Sequence, residues 1–484
     1  MNGFNVPELV RNHERFRVIC AVAVFAAVYI PSRIFLLLHF SPIGSDVDLY
    51  ARFAFIHARA HEMGCPFYDL YRSEGLKDST YAGYSLRDLT DIPYPPLAIG
   101  FLTISGLVVL KGRPADALGF NEFISRYQKV YRWSCLPFDV MVVLLALWLI
   151  ITLFRGEGTL RTLIRSGMAC GAGALLPHLL YDRLDIVLSA LLLLSLFALM
   201  KKKWIIAFLL FAVAVNFKPL PLFLAPLWVA GSLHTAGLEG QRKWACILRR
   251  FTARGLVLSL MTVFICIAVL AVDGWRGLGF LGYHGARGIH IESFWGTISL
   301  LAADLFNLPF RIVYDYGAFN VVAAWTPFCS ITATALMIVL TAGLTFMALL
   351  PGLTKVGDAR PDASLISNKL LVSMTVATLL AIFCTFKMFS PQFLLLLVPL
   401  IPIIPWRGPL FILQSVLYAG ACCMSTYIYP YFYVQEIITG PTAFGHFLLV
   451  AREIMLIALL CTIAATEVRP KPRMESNCYD SYSS

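Results

Sequence analysis

The chain has 484 residues, of which 59% are hydrophobic and 14% charged, against about 25% charged in an ordinary soluble domain. With a mean hydropathy of +0.75 it lacks the polar surface to cover a soluble particle, which excludes a soluble multidomain protein as the working expectation. The net charge of +11 fits Lys and Arg kept in cytoplasmic loops, and no basic face interleaved with aromatics points to nucleic acid.

A helical bilayer crossing takes ~20 mostly apolar residues. In chain order, apolar segments fall at 17–40, 94–110, 133–154, 167–180, 182–200, 204–216, 219–233, 255–272, 327–350, 367–386, 389–405, 409–428 and 443–463, with a weaker one at 295–308. The first is long for a signal-peptide core and ends without a small-residue cleavage site, so it reads as a retained span. Polar stretches at 41–93, 111–132, 234–254 and 273–294 separate the segments. Most of the 12 cysteines sit inside apolar segments, where a free thiol behaves as a small hydrophobe. Cys65, in the first polar stretch, has no obvious partner there, and no metal-ligand spacing is present.

Basic residues orient the chain. Arg11, Arg15 and Arg17, then Lys201, Lys202 and Lys203, then Arg242, Lys243, Arg249, Arg250 and Arg254, then Lys355 and Arg360, and finally Arg469, Lys471 and Arg473 are all expected on the cytoplasmic side. Loops 41–93, 273–294 and 429–442 and the turns at 216–218 and 387–392 then face outside. Five segments precede Lys201, where an even number is needed, so one of them fails to span. The short 167–180 segment, with Pro177-His178, is the first suspect. A broken helix at that depth is allowed where it lines a cavity.

Five polar clusters interrupt the pattern, each with a plain reading beside a chemical one. After the first span comes Gly44-Ser45-Asp46-Val47-Asp48-Leu49-Tyr50. Its carboxylates either keep a loop in water or act, partly desolvated, as a general base on a hydroxyl. The same stretch closes on Asp91-Ile92-Pro93-Tyr94-Pro95-Pro96-Leu97, where Tyr anchors at the interface and Pro opens a helix. Next is Pro177-His178-Leu179-Leu180-Tyr181-Asp182-Arg183-Leu184-Asp185. Ionisable groups at that depth serve a site or form an Asp–Arg pair that fixes helix packing. Asn216-Phe217-Lys218-Pro219 and Phe386-Lys387-Met388-Phe389-Ser390-Pro391-Gln392 each put one Lys on the outer side, to snorkel or to hold a phosphate. The densest cluster runs from Tyr283 to Ser293. Arg287 suits bidentate phosphate recognition, and His284 and His290 can donate to phosphate oxygens or shuttle a proton. His284, His290 and Glu292 match no common zinc spacing, so an anionic ligand is expected ahead of a metal. Carboxylates near one span and cations at three other outer turns fit a lipid-linked phosphate substrate.

These residues resemble, in order, the motifs of the polyprenol-phosphate-mannose-dependent mannosyltransferases of the GT-C superfamily, glycosyltransferase family 87. Ser45–Tyr50 resembles the family's "SDLxVY". Pro66-Phe67-Tyr68 with Tyr94-Pro95-Pro96-Leu97 is similar to "PY…EYPPL", and Asp182–Asp185 to "xRFD". Phe217-Lys218-Pro219 resembles "KxxPL", Tyr283–Ser293 resembles "HxxRxxQxES" with His290 in place of Gln, and Lys387–Phe393 resembles "KxxSPQY".

The resemblance implies an all-α polytopic fold of GT-C type with about 12 transmembrane helices and large outer loops after the first and about the seventh. Residues 1–272 would form the GT-C-type module with first outer loop 41–93, and 273–484 the second outer loop and C-terminal helices. It implies an integral membrane protein whose site faces outside, and the lack of any Asn-x-Ser/Thr sequon leans to a bacterial inner membrane. There an inverting hexosyltransferase would move a sugar, mannose by the family's habit, from a polyprenol-phosphate donor to a lipid or glycan acceptor of the cell envelope. Asp46 would be the base, with Asp48 in reserve. His284, Arg287, Lys218 and Lys387 would bind the donor phosphate, and Tyr94, Asp182, Arg183, Asp185, His290, Glu292 and Gln392 would contact sugar or acceptor or support the cations. No metal or other cofactor is implied. The alternatives from other classes are a transporter or lipid flippase, a polymerase or ligase of lipid-linked glycans, and a non-catalytic scaffold.

Overall fold

Long apolar runs must satisfy their backbone N–H and C=O groups internally, and this chain does so chiefly with helices. A computed structural model describes residues 6–40, 45–74, 80–81, 84–85, 92–233, 244–354, 367–406 and 408–468. Gly44, Asp91, Arg242, Lys243, Lys355, Arg360, Arg469, Lys471 and Arg473, named above, lie outside the described residues. The first span is α1 (Val6–Val24), a π turn, and α2 (Ile30–His39). Then come α3 (Ser45–Met63), α4 (Phe67–Glu74), a two-residue hairpin of β1 (Thr80–Tyr81) and β2 (Tyr84–Ser85), and α5 (Pro96–Leu110). After these follow α6 (Phe120–Leu153), α7 (Thr159–Gly171), α8 (Asp185–Met200), α9 (Trp204–Phe217), α10 (Ala225–Ser232) and α11 (Trp244–Asp273). The second half holds α12 (Gly279–Ala286), β3 (Ile289–His290), α13 (Phe294–Phe306), β4 (Arg311–Asp315), β5 (Ala318–Val322), α14 (Thr326–Thr354), α15 (Asn368–Thr385), α16 (Pro409–Thr426) and α17 (Ala443–Val468). Seven helices among the described residues are long and apolar enough to cross a membrane, which makes this an integral membrane protein.

Several expectations change. The polar stretch 41–93 contains α3 and α4, and the second half of 111–132 belongs to α6. Segment 389–405 is no α-helix: it runs as 3-10 turns at Pro391–Leu396 and Ile401–Ile403. Pro391, Pro399, Pro402 and Pro405 each remove a backbone donor and collide with a preceding turn. Buried side chains take up some of its freed carbonyls. Ser189 donates to Leu395 O (3.2 Å), Tyr418 to Leu394 O (3.1 Å), and Arg165 to Pro402 O (2.6 Å) and Ile404 O (2.7 Å). The stretch 429–442, expected as an outer loop, is largely helical, because π-type turns continue α16 through Ile438 with an interruption at Tyr429. A three-stranded antiparallel sheet, order β3-β5-β4, joins the strand before α13 to the hairpin after it. Its tight turn is Tyr316-Gly317, both at positive φ as a two-residue hairpin of this kind requires.

The suspected segment 167–180 is the end of α7, a 3-10 turn at Ala172–Leu175 and irregular chain. α1–α2, the second half of α6 and residues 159–184 lie side by side from end to end. At one end Arg17 donates to Thr162 Oγ1 (2.9 Å) and Arg155 O (2.8 Å). Midway, Arg33 and Tyr181 both reach Asp139 (each 2.7 Å). At the other end Arg132 donates to the Phe40 and Leu36 carbonyls and pairs with Asp182 (3.1 Å). So α7 and its broken continuation match their neighbours in length. Segment 94–110 holds α5, which runs beside α3 and α6 and reaches α9 through Phe101 and Phe217 (ring centroids 5.8 Å apart); past its far end Ala115 N–H donates to Glu62 Oε1 at the end of α3 (2.9 Å).

Candidate functional site

The five clusters, spread from residue 46 to 393, meet at a cavity of about 440 Å³. The first turn of α3 supplies Asp46 and Asp48, at the helix end where negative charge is favoured. Tyr94 enters just ahead of α5, and Arg183 from the irregular stretch between α7 and α8. Lys218 ends α9, where Pro219 forbids another helical turn. His284, Arg287, His290 and Glu292 come from α12 and the strand after it, and Gln392 from the first 3-10 turn past α15. Ser293 is the N-cap of α13, its Oγ accepting from Gly296 N–H at 3.0 Å, which fixes where the preceding His290 and Glu292 stand.

The charges are arranged in pairs. Asp46 pairs with Arg183, whose guanidinium also lies over the Tyr429 ring (5.5 Å). Asp48 instead accepts a hydrogen bond from Gln128 Nε2 (2.7 Å). Lys218 holds both oxygens of buried Asp185 (2.7 and 2.9 Å). Glu292, 2% exposed, accepts from Arg452 of α17 (2.8 Å), itself fully buried and also bonded to Glu453 (3.1 Å). Burial raises the Glu292 carboxyl above its usual range, and Arg452 pulls the other way. Arg287 has no such carboxylate, and its Nε is buried without a hydrogen-bond partner among the described residues. It is the cation best placed to take an anion from the cavity.

Two expectations need correction. Lys387 does not line the cavity: its ammonium donates to Gly285 O (3.1 Å) and Arg287 O (2.7 Å), so it braces the loop that carries Arg287. Asp182 and Asp185 lie outside the lining, Asp185 supporting Lys218 and Asp182 pairing with Arg132. His284 is not a phosphate-binding cation in this field. Burial, then Arg287, lowers its pKa to about 4, and Lys218 and Lys387 add to the shift. Its Nε2 lies 3.0 Å from Pro93 O, a carbonyl that can only accept, so Nε2 carries the proton and Nδ1 is left as an acceptor. His290 is likewise held neutral by burial, then by Arg287 and Arg452.

The cavity wall also holds residues the sequence reading passed over. Arg52 lies one turn after Asp48 on α3, and its place becomes legible only once 45–63 is read as helix. Tyr314, Tyr429 and Tyr433 form an aromatic wall from the hairpin and the π turns. Behind the wall, where Arg452 holds Glu292, Arg452-Glu453 puts two charges inside an apolar segment, a signal visible in the sequence. Among the described residues no group of three His, Cys, Asp or Glu side chains is placed to hold a metal ion. No protein-family model matches the chain, and no curated protein matches it.

Proposed function

We propose that the chain is a polyprenol-phosphate-dependent glycosyltransferase of GT-C type, moving a sugar (mannose first among the candidates) to a hydroxyl of a lipid or glycan acceptor. The observation that carries this reading is the convergence of six motif segments on one cavity, whose lining sets Asp46, Asp48 and Glu292 among Arg52, Arg183, Lys218 and Arg287. Asp46 takes the acceptor's hydroxyl proton, the oxygen attacks the anomeric carbon, and the carbon–oxygen bond to the phosphate breaks with its electron pair staying on phosphate. Arg287, Arg183 and Lys218 stabilise the charge that develops there. His284 Nδ1, an acceptor, suits a sugar hydroxyl rather than the phosphate.

The helix packing supports a matching topology. Crossings by 6–39, 132–153, 159–184, 185–200, 204–217, 220–232, 244–273, 326–354, 368–385, 391–405, 409–426 and 443–468 make twelve, with α5 and α13 outside the count. Lys201–Lys203 then fall on the cytoplasmic side after four crossings, and the loop from 274 to 293 follows the seventh. The test is purified protein in nanodiscs with polyprenol-phosphate-mannose and a glycolipid acceptor extract. Mannosylated lipid is expected. Absence of product, together with solute movement in proteoliposomes, would favour a transporter.

A further inference from the structure

The stretch Tyr181-Asp182-Arg183-Leu184-Asp185 carries four polar side chains in five residues, each fastened to a different partner. Arg183 and Asp185 serve the cavity, the first directly and the second through Lys218. Tyr181 and Asp182 point the other way, to α6. Tyr181 Oη donates to Asp139 Oδ2 (2.7 Å), and Asp182 Oδ1 lies 3.1 Å from Arg132 Nε. Arg132 and Asp139 are seven residues apart and so lie on one face of α6. Asp139 is further held by Arg33 Nε (2.7 Å) and Tyr29 Oη (3.0 Å), and Arg132 by the Leu36 carbonyl (3.1 Å). The irregular chain sits hard on this cluster: a Cβ on Gly173 would come within 2.7 Å of Arg33 Nη2. Asp139, Tyr181, Arg33, Arg132 and Asp182 are all buried, and none of them lines the cavity.

Buried ion pairs return little net stability, because desolvation offsets their attraction, but they fix register where nothing helical does. Residues 176–184 have no regular backbone hydrogen-bond ladder to set it. We propose that Tyr181 and Asp182, clamped by Asp139 and Arg132, are positioning residues that hold Arg183 and the Asp185–Lys218 pair at the phosphate-binding wall. This rests on the reading of the cavity as a phosphate site.

A double-mutant cycle on the full chain in nanodiscs tests it, with polyprenyl phosphate as the probe and Tyr181→Phe and Arg183→Gln as the variants. Tyr181→Phe should weaken binding about tenfold in the wild-type background and less than about twofold beside Arg183→Gln, because the clamp acts through that side chain. Its effect on thermal stability should be the same in both backgrounds. Asp182→Glu, which keeps the ion pair but lengthens it, should show the same dependence on Arg183 and covers the case where Tyr181→Phe folds poorly. Equal losses in both backgrounds, or none, would overturn the positioning role. A wild-type chain that binds no polyprenyl phosphate would instead overturn the phosphate reading, and the proposal with it.

Discussion

Asp46 and Asp48 sit two residues apart in one helical turn, yet their neighbours assign them different work. Asp46 faces Arg183, a group an incoming phosphate also attracts, whereas Asp48 is held by the neutral Gln128 amide. Asp48→Asn keeps a Gln128 partner and should lower transfer by no more than about tenfold, measured as kcat/KM, well below the 10²–10⁴-fold typical of a lost general base. Arg287→Gln removes a cavity cation that has no carboxylate partner among the described residues. It should raise the donor KM by about 10- to 100-fold, the worth of a charged hydrogen bond, with a smaller change in kcat. His284 gives a pH signature. Its pKa of about 4 lies below the unfolded value near 6.5, so on acidification the unfolded chain gains a proton that the folded one refuses. Its stabilising share is whole above 6.5, declines as pH falls from 6.5 towards 4, and is flat below. Thermal midpoints across that window should fall more steeply for wild type than for His284→Gln. Most of these positions were legible because charges are rare and conspicuous in an apolar chain. Direction was not legible: Lys387, Asp182 and Asp185 stand in the right clusters but turn to partners behind the wall, which only packing decides.

Short irregular elements aim these side chains, and their geometry leaves little room. A Cβ on Gly296 would fall 2.3 Å from His290 O and 2.7 Å from Ile291 O. Gly296→Ala should therefore displace His290 and Glu292 and reduce donor affinity, while Ser293→Ala, a lost cap, should cost about 1 kcal/mol of stability. Differential scanning of both variants beside donor binding separates the two effects, and an unchanged affinity in Gly296→Ala would contradict this account of the loop. Gly317, at φ +65° with Tyr283 Oη 2.6 Å from any added Cβ, imposes the same limit on the hairpin. The prolines of 391–405 carried the signal against a helix, but a hydropathy reading weighs apolar length and ignores the missing donors. The β4–β5 hairpin was hidden for a related reason. Its strands are five residues each, too short to rise above long apolar helices, although Tyr316-Gly317 marks its turn.

For the whole molecule, charge parity before Lys201 was legible in the sequence, but which segment fails to span was not. Apolar content could not decide it, because α5 is thoroughly apolar and the stretch through Pro177 is broken. The proposed topology takes 159–184 as the crossing on its long-range contacts: Arg17–Thr162 at one end and Arg132–Asp182 at the other set it along the length of its neighbours. A single cysteine at Arg113, in a background without native cysteines, should react with a membrane-impermeant maleimide from the same side as one at Gly440 and from the opposite side to one at Lys202. Reaction of Arg113→Cys together with Lys202→Cys would return α5 to the crossings. Sugar transfer in this cavity with Asp46 as base is read from mannose transfer out of polyprenol-phosphate-mannose by wild type and Asp46→Asn at equal expression, with the product's anomeric configuration determined by NMR. Wild type should give product of inverted configuration, and the variant should lose about 10²-fold or more of the rate. Full activity in Asp46→Asn, or retained configuration in the product, would overturn Asp46 as the base of an inverting transfer.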